Sequence, residues 1–132
     1  MIFDAHVTKN VLGYGDDSGH SGYLTFDQVD IDIGEAFDGS FFTAPIAGIY
    51  KMTFTGQLNH LGSIHIWVAK TDGNVMKIYE SNTAENDDGN IVSYTWMMEL
   101  KANDYVGLLS REDFYASDEF PLTFAGELIH IN

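Results

Sequence analysis

Between Val92 and Leu100 the chain alternates strictly enough to set its own local geometry. Val92, Tyr94, Trp96, Met98 and Leu100 fall on one face of an extended backbone. Ser93, Thr95 and Glu99 fall on the other, with Met97 the exception. Successive strand side chains point to opposite sides, so a period of two fits a strand that buries one face and wets the other. The spacing returns in Tyr50, Met52 and Phe54 against Ile49, Lys51 and Thr53, and in Ile64, Ile66 and Val68 against His65 and Trp67. It returns again in Val29, Ile31 and Ile33 against Asp30 and Asp32, and Leu122, Phe124 and Leu128 share a face near the end. No segment sustains the i, i+3, i+4, i+7 spacing of an amphipathic helix. Asp72-Gly73, between Val68 and Val75, reads as a hairpin turn because both residues tolerate positive φ. Asp88-Gly89, the stretch Gly13 to Gly22, and Asn103-Asp104 mark further breaks. Short strands at roughly ten-residue spacing argue for an all-β sandwich or jelly roll.

Size and composition fit that reading. The 132 residues are 45% hydrophobic and 14% aromatic, enough for one globular domain spanning 1–132 and too apolar for a disordered chain. Twenty acidic residues against six basic ones leave a formal charge of -14, which repels phosphate backbones and anionic membranes. Nucleic acid is therefore an unexpected partner; cations and cationic partners are natural ones. The absence of cysteine excludes a disulfide framework, a thiolate zinc site and a cysteine nucleophile. No apolar run is long enough to span a bilayer, so no membrane insertion is expected. Met1 to Thr8 has neither the basic region nor the apolar stretch of a signal peptide. The start of the sequence thus leaves open a cytoplasmic chain or a secreted one whose signal lies outside it.

The stretch from Phe37 to Tyr50, with Thr43-Ala44-Pro45, Gly48 and Tyr50 at its centre, resembles the core pattern of the globular C1q domain. That domain belongs to the C1q/tumour-necrosis-factor superfamily. Leu24-Thr25-Phe26-Asp27 and Ile33-Gly34 are similar to the family's lead-in. Leu100 to Val106 resembles its Leu-Lys-x-Gly-Asp-x-Val segment, and Phe124-Ala125-Gly126-Glu127-Leu128 resembles its ending. The departures are Asn103 for the turn glycine, Met52 for a customary aromatic, and Glu127 where an aromatic is common on the last strand. No collagen-like Gly-x-y stretch occurs, so either a stalk lies outside this sequence or the chain resembles the stalkless C1q-domain proteins. The resemblance implies a ten-stranded antiparallel jelly-roll β-sandwich assembled as a homotrimer. The physical reading agrees locally: Pro45 ends one stretch of pairing, and Gly48 permits a close backbone approach just before Tyr50 enters the core.

Enzyme signatures fail on inspection. Gly19-His20-Ser21-Gly22 lacks the closing glycine of a nucleophile elbow, since Tyr23 stands there. His60 and His65 are five apart and fit no zinc helix, and no His-x-His pair occurs. The acidic pairs Asp16-Asp17, Asp30/Asp32, Asp87-Asp88 and Glu112-Asp113 do not follow the EF-hand loop and read as solvated loop or strand faces. By the resemblance, some C1q-like domains bind calcium through carboxylates after the hairpin, here Tyr79 to Gly89. The matching ligand candidates are Glu80, Asp87 and Asp88. Arg111 has the planar fork to clamp an acidic sugar or carboxylate, with Tyr115 nearby; its plainer role is to offset Glu112 and Asp113. Trp67 is expected to be buried. No enzyme is expected. The resemblance implies a secreted, lectin-like, calcium-assisted binding protein of innate immunity that takes a carbohydrate or other surface ligand. The alternative is a calcium-binding structural protein of an extracellular or mineral matrix.

Overall fold

The computed structural model describes residues 1–11, 23–58, 63–70, 75–82, 91–110 and 114–132. Ten strands lie among them: β1 (Ile2–Val7), β2 (Gln28–Ile33), β3 (Phe41–Thr43), β4 (Gly48–Leu58), β5 (Ser63–Lys70), β6 (Val75–Asn82), β7 (Ile91–Leu100), β8 (Tyr105–Ser110), β9 (Phe114–Tyr115) and β10 (Leu122–Ile131). One sheet runs β2-β1-β10-β4-β7, with β9 also paired to β4, and the other runs β3-β8-β5-β6. Every pairing between these strands is antiparallel. The first sheet takes its strands from both ends and the middle of the chain, which is the long-range return of a jelly roll.

The alternating positions become the core. Tyr50, Met52 and Phe54 are buried on β4, as are Trp96, Met98 and Leu100 on β7 and Leu122 and Phe124 on β10. Phe3 sits at the centre of their packing, stacked on Phe37 at 4.8 Å and on Phe42 at 4.9 Å, with its ring edge to Phe124 at 5.0 Å. Gly126 makes room for it. A Cβ there would lie 2.5 Å from Phe3 Cε1 and 2.6 Å from Met52 Sδ. Met52 is accordingly a good fit where an aromatic is customary, because a flexible thioether fills the space over a glycine.

Pro45 lies between β3 and β4, and the chain then re-enters the sheet at Gly48. A side chain at Gly48 would run into the His130 carbonyl and Leu128, so the close approach expected there is real. Two residues later Tyr50 is fully buried, its hydroxyl donating to the Ile46 carbonyl at 2.6 Å. Burial pushes its pKa up from the ordinary phenol value. Asn103 takes φ 71°, the left-handed conformation for which it substitutes for glycine. Its N–H donates to the Ala44 carbonyl at 2.7 Å and the Asp104 carboxylate accepts from Lys101 N–H at 2.9 Å, which fixes the turn.

β2 departs from the simple pattern. Its ladder with β1 slips by one residue, with Asp4 opposite Ile31 but Ala5 opposite Val29. Directly opposed residues share a face, and a bulge inserts one extra residue and resets the alternation. Ile31 and Ile33 therefore lie on the outer face with Asp4 and Ile2, while Val29 follows Ala5 to the inner side. All three side chains are exposed, Ile31 and Ile33 as outer-face residues and Val29 at the open edge of the sheet. Asp32 is also no idle surface carboxylate. It accepts from Ala36 and Phe37 N–H at 2.9 and 3.3 Å and so holds the turn through Gly34 and Glu35, both at positive φ.

Candidate recognition surface

The registers lay out the outer face of the first sheet row by row. One row runs Ile33, Ile2, Glu127, Lys51, Met97. The next runs Ile31, Asp4, Ala125, Thr53, Thr95, and a third runs Gln28, His6, Thr123, Thr55, Ser93. The first row is apolar at both ends, with Ile33 62% and Met97 65% exposed. Ile129, left unpaired by a bulge in β10, and Ile131 add exposed apolar surface at the same end. The small Ala125 of the second row leaves a depression of about 240 Å³ in the middle, flanked by Ile2, Ile31, Lys51 and Glu127. Glu127, which occupies a customary aromatic position, thus stands on this face directly across from Lys51. The third row is polar. Thr53 and Thr95 hydroxyls meet at 3.2 Å and those of Thr55 and Ser93 at 3.1 Å, and His6 Nδ1 pairs with Asp30 at 2.5 Å.

A second groove opens at the end of the sheet opposite the two termini. Tyr115 on β9 stands across from Gln57, which itself stands across from Ile91. Beside them a pocket of about 240 Å³ is lined by Thr55, Gln57 and Thr123 from the sheet, by Ile91, and by Glu119, Phe120 and Pro121 before β10. A tight turn holds Phe120 out: its N–H donates to Ser117 Oγ at 3.2 Å, and Ser117 N–H donates to its carbonyl at 3.2 Å. Phe120 is 50% and Tyr115 43% exposed. Glu119 and Phe120 escaped the sequence reading because they lie outside any alternating run. Their signal was weak: an aromatic between an acidic pair and Pro121.

Of the candidate site residues Glu80, Asp87, Asp88, Arg111 and Tyr115, only Tyr115 has a described side chain. Glu80 falls on β6, across from His65 by register. Asp87, Asp88 and Arg111 lie outside the described residues, as do Asp72-Gly73, Asp88-Gly89, the segment 13–22 and Glu112-Asp113, and no side-chain position is described for Trp67. β5 and β6 do pair as the hairpin that Asp72-Gly73 was expected to turn, with Ala69 across from Val75. Among the described residues no three acidic or histidine side chains converge as metal ligands. No helix among the described residues is long and apolar enough to cross a membrane.

Comparison with known proteins agrees with this architecture. The profile of the C1q domain matches residues 3–129. The globular domain of the zebrafish complement 1qA protein superposes with a TM-score of 0.75 at 16% identity, covering 99% of this chain and 98% of that one. Murine APRIL superposes with a TM-score of 0.63 at 12% identity, covering 97% of this chain and all of the other. No curated protein sequence matches the chain. The two-sheet jelly roll, the Pro45–Gly48–Tyr50 entry into its core and the profile over residues 3–129 lead to one conclusion: this chain belongs to the C1q-domain family.

Proposed function

We propose that the protein is an extracellular, homotrimeric recognition module that binds a carbohydrate or other surface ligand with the help of calcium, in innate defence. C1q-type domains generally serve in recognition rather than catalysis, typically form trimers and are usually found outside cells. The observation that carries the trimer is the outer face of the β2-β1-β10-β4-β7 sheet. Its Ile33, Ile2 and Ile31 lie together at the β2-β1 edge and Met97 at the β7 edge, exposed apolar side chains of the kind that a contact between copies covers. A second copy offers both apolar cover and partners for Lys51 and Glu127. Three ligand sites on one particle then convert weak single contacts into avidity. Calcium is drawn by the net charge of -14, and it suits Glu80, Asp87 and Asp88 because it accepts carboxylates, backbone carbonyls and water in loose geometry.

A glycan array probed with the assembled protein, with calcium and with chelator, tests this reading. Selective binding to some glycans that falls in chelator supports it. Adsorption to calcium mineral without sugar selectivity would instead indicate a matrix protein.

A further inference from the structure

The groove beside Tyr115 has a chemistry of its own. Phe120, Ile91 and Pro121 give it an apolar wall, while Thr55 and Thr123 bring hydroxyls to its sheet side. Thr55 already bonds Ser93 at 3.1 Å, but a hydroxyl has one donor and two lone pairs, so capacity remains. Among the described residues Glu119 is the only charged one lining the groove, with Asp118 preceding it and no Lys, Arg or His. A pyranose ring fits this division, since it has an apolar C–H face and a hydroxyl edge. The volume, about 240 Å³, holds a single ring rather than a chain.

Charge decides which ring. A sugar carboxylate would face Glu119 with no countercharge among the described residues of the groove, on a protein already at -14. A neutral ring leaves Glu119 to water. An ammonium group gives Glu119 a charge-assisted hydrogen bond and lies against the Phe120 ring, where cations are attracted to the π face. We infer that the groove between Glu119-Phe120 and the Thr55/Thr123 edge is a subsite for one amino-sugar ring carrying a free ammonium. This rests on the carbohydrate-recognition reading and reverses the acidic-sugar preference expected from Arg111.

Calorimetry on the assembled protein tests it with three probes: glucosamine oligomers, the same oligomers fully N-acetylated, and oligolysine of matched charge. The free-amine oligomer should bind about tenfold or more tightly than its acetylated form, the scale of a hydrogen bond to a charged group. Glu119→Gln should erase that difference, and Phe120→Ala should weaken both sugars; both residues are exposed, and unchanged melting curves will verify the fold. Equal affinity for the two sugars overturns the proposal, as does wild-type binding by Glu119→Gln. Competition by oligolysine as effective as by the sugar also overturns it, because it would show charge attraction alone. If other glycans still bind both wild type and the double variant while glucosamine binds neither, the subsite fails and the recognition reading stands. If no glycan binds the wild type, both fall.

Discussion

Tyr50 tests the core assignment and its energetics together. Its side chain is fully buried, its ring packs edge-on against Phe42 at 5.3 Å, and its hydroxyl donates to the Ile46 carbonyl at 2.6 Å. Tyr50→Ala removes the ring and leaves a cavity between the sheets, costing about 3–5 kcal/mol by analogy with other buried aromatics. Tyr50→Phe keeps the ring and removes only the hydrogen bond, costing about 0.5–1.5 kcal/mol. Urea unfolding at one fixed protein concentration reads both, with unchanged m-values as the check on two-state behaviour. The phenol also carries a pH signature. Burial raises its folded pKa above the unfolded value of 10.0, so the folded form holds its proton where the unfolded form has lost it. Its stabilisation is complete below pH 10 and declines as pH rises from 10 through the folded pKa. Wild type should therefore lose stability above pH 10 more steeply than Tyr50→Phe does. A cost under about 1 kcal/mol for Tyr50→Ala, or identical alkaline slopes, would refute the burial on which the β4 facing rests.

Other consequences are as direct. Gly126→Ala should cost about 1–3 kcal/mol in the same assay, because the new Cβ meets the Phe3 ring, which is wedged between Phe37 and Phe42. Asn103→Val should cost about 1–2 kcal/mol for its left-handed backbone, whereas Asn103→Gly should be close to neutral; equal effects would argue against the turn. Calcium should raise the melting temperature in low-salt buffer, magnesium should do so less, and replacing Asp87 and Asp88 together with Asn should remove most of the gain. Equal stabilisation by sodium chloride at matched ionic strength would reduce the effect to screening.

Where the same apolar alternation recurs on adjacent strands, the sequence speaks clearly. Tyr50, Met52, Phe54, Trp96 and Leu100 face the core as their alternation requires, since an inward apolar row repeated on adjacent strands admits only one register. β2 shows the limit. Val29, Ile31 and Ile33 look identical to a buried row, but one bulged residue splits their faces, leaving Ile31 and Ile33 on the outer face and Val29 at the open edge. Local pattern carries no information about which strand ends at an edge. Asp32 was misjudged for a related reason: its carboxylate answers the N–H groups of Ala36 and Phe37, which only the folded turn brings to it. The groove at Phe120 was illegible because its walls come from β4, β7 and the approach to β10, segments some thirty residues or more apart. Tyr115 could be noticed by its chemistry, but its placement across from Gln57 depends on the antiparallel pairing of β9 with β4.

Copies of this chain are proposed to meet through the outer face carrying Ile33, Ile2 and Met97. Sedimentation equilibrium at micromolar concentration tests it most directly, run on wild type and on Met97→Glu. The wild type should have the mass of about three chains of 14.7 kDa, and should shift toward the monomer when a carboxylate replaces the exposed thioether on a face already carrying Glu127. A wild-type protein that stays at one chain's mass across the micromolar range, or a trimer indifferent to Met97→Glu, would contradict it.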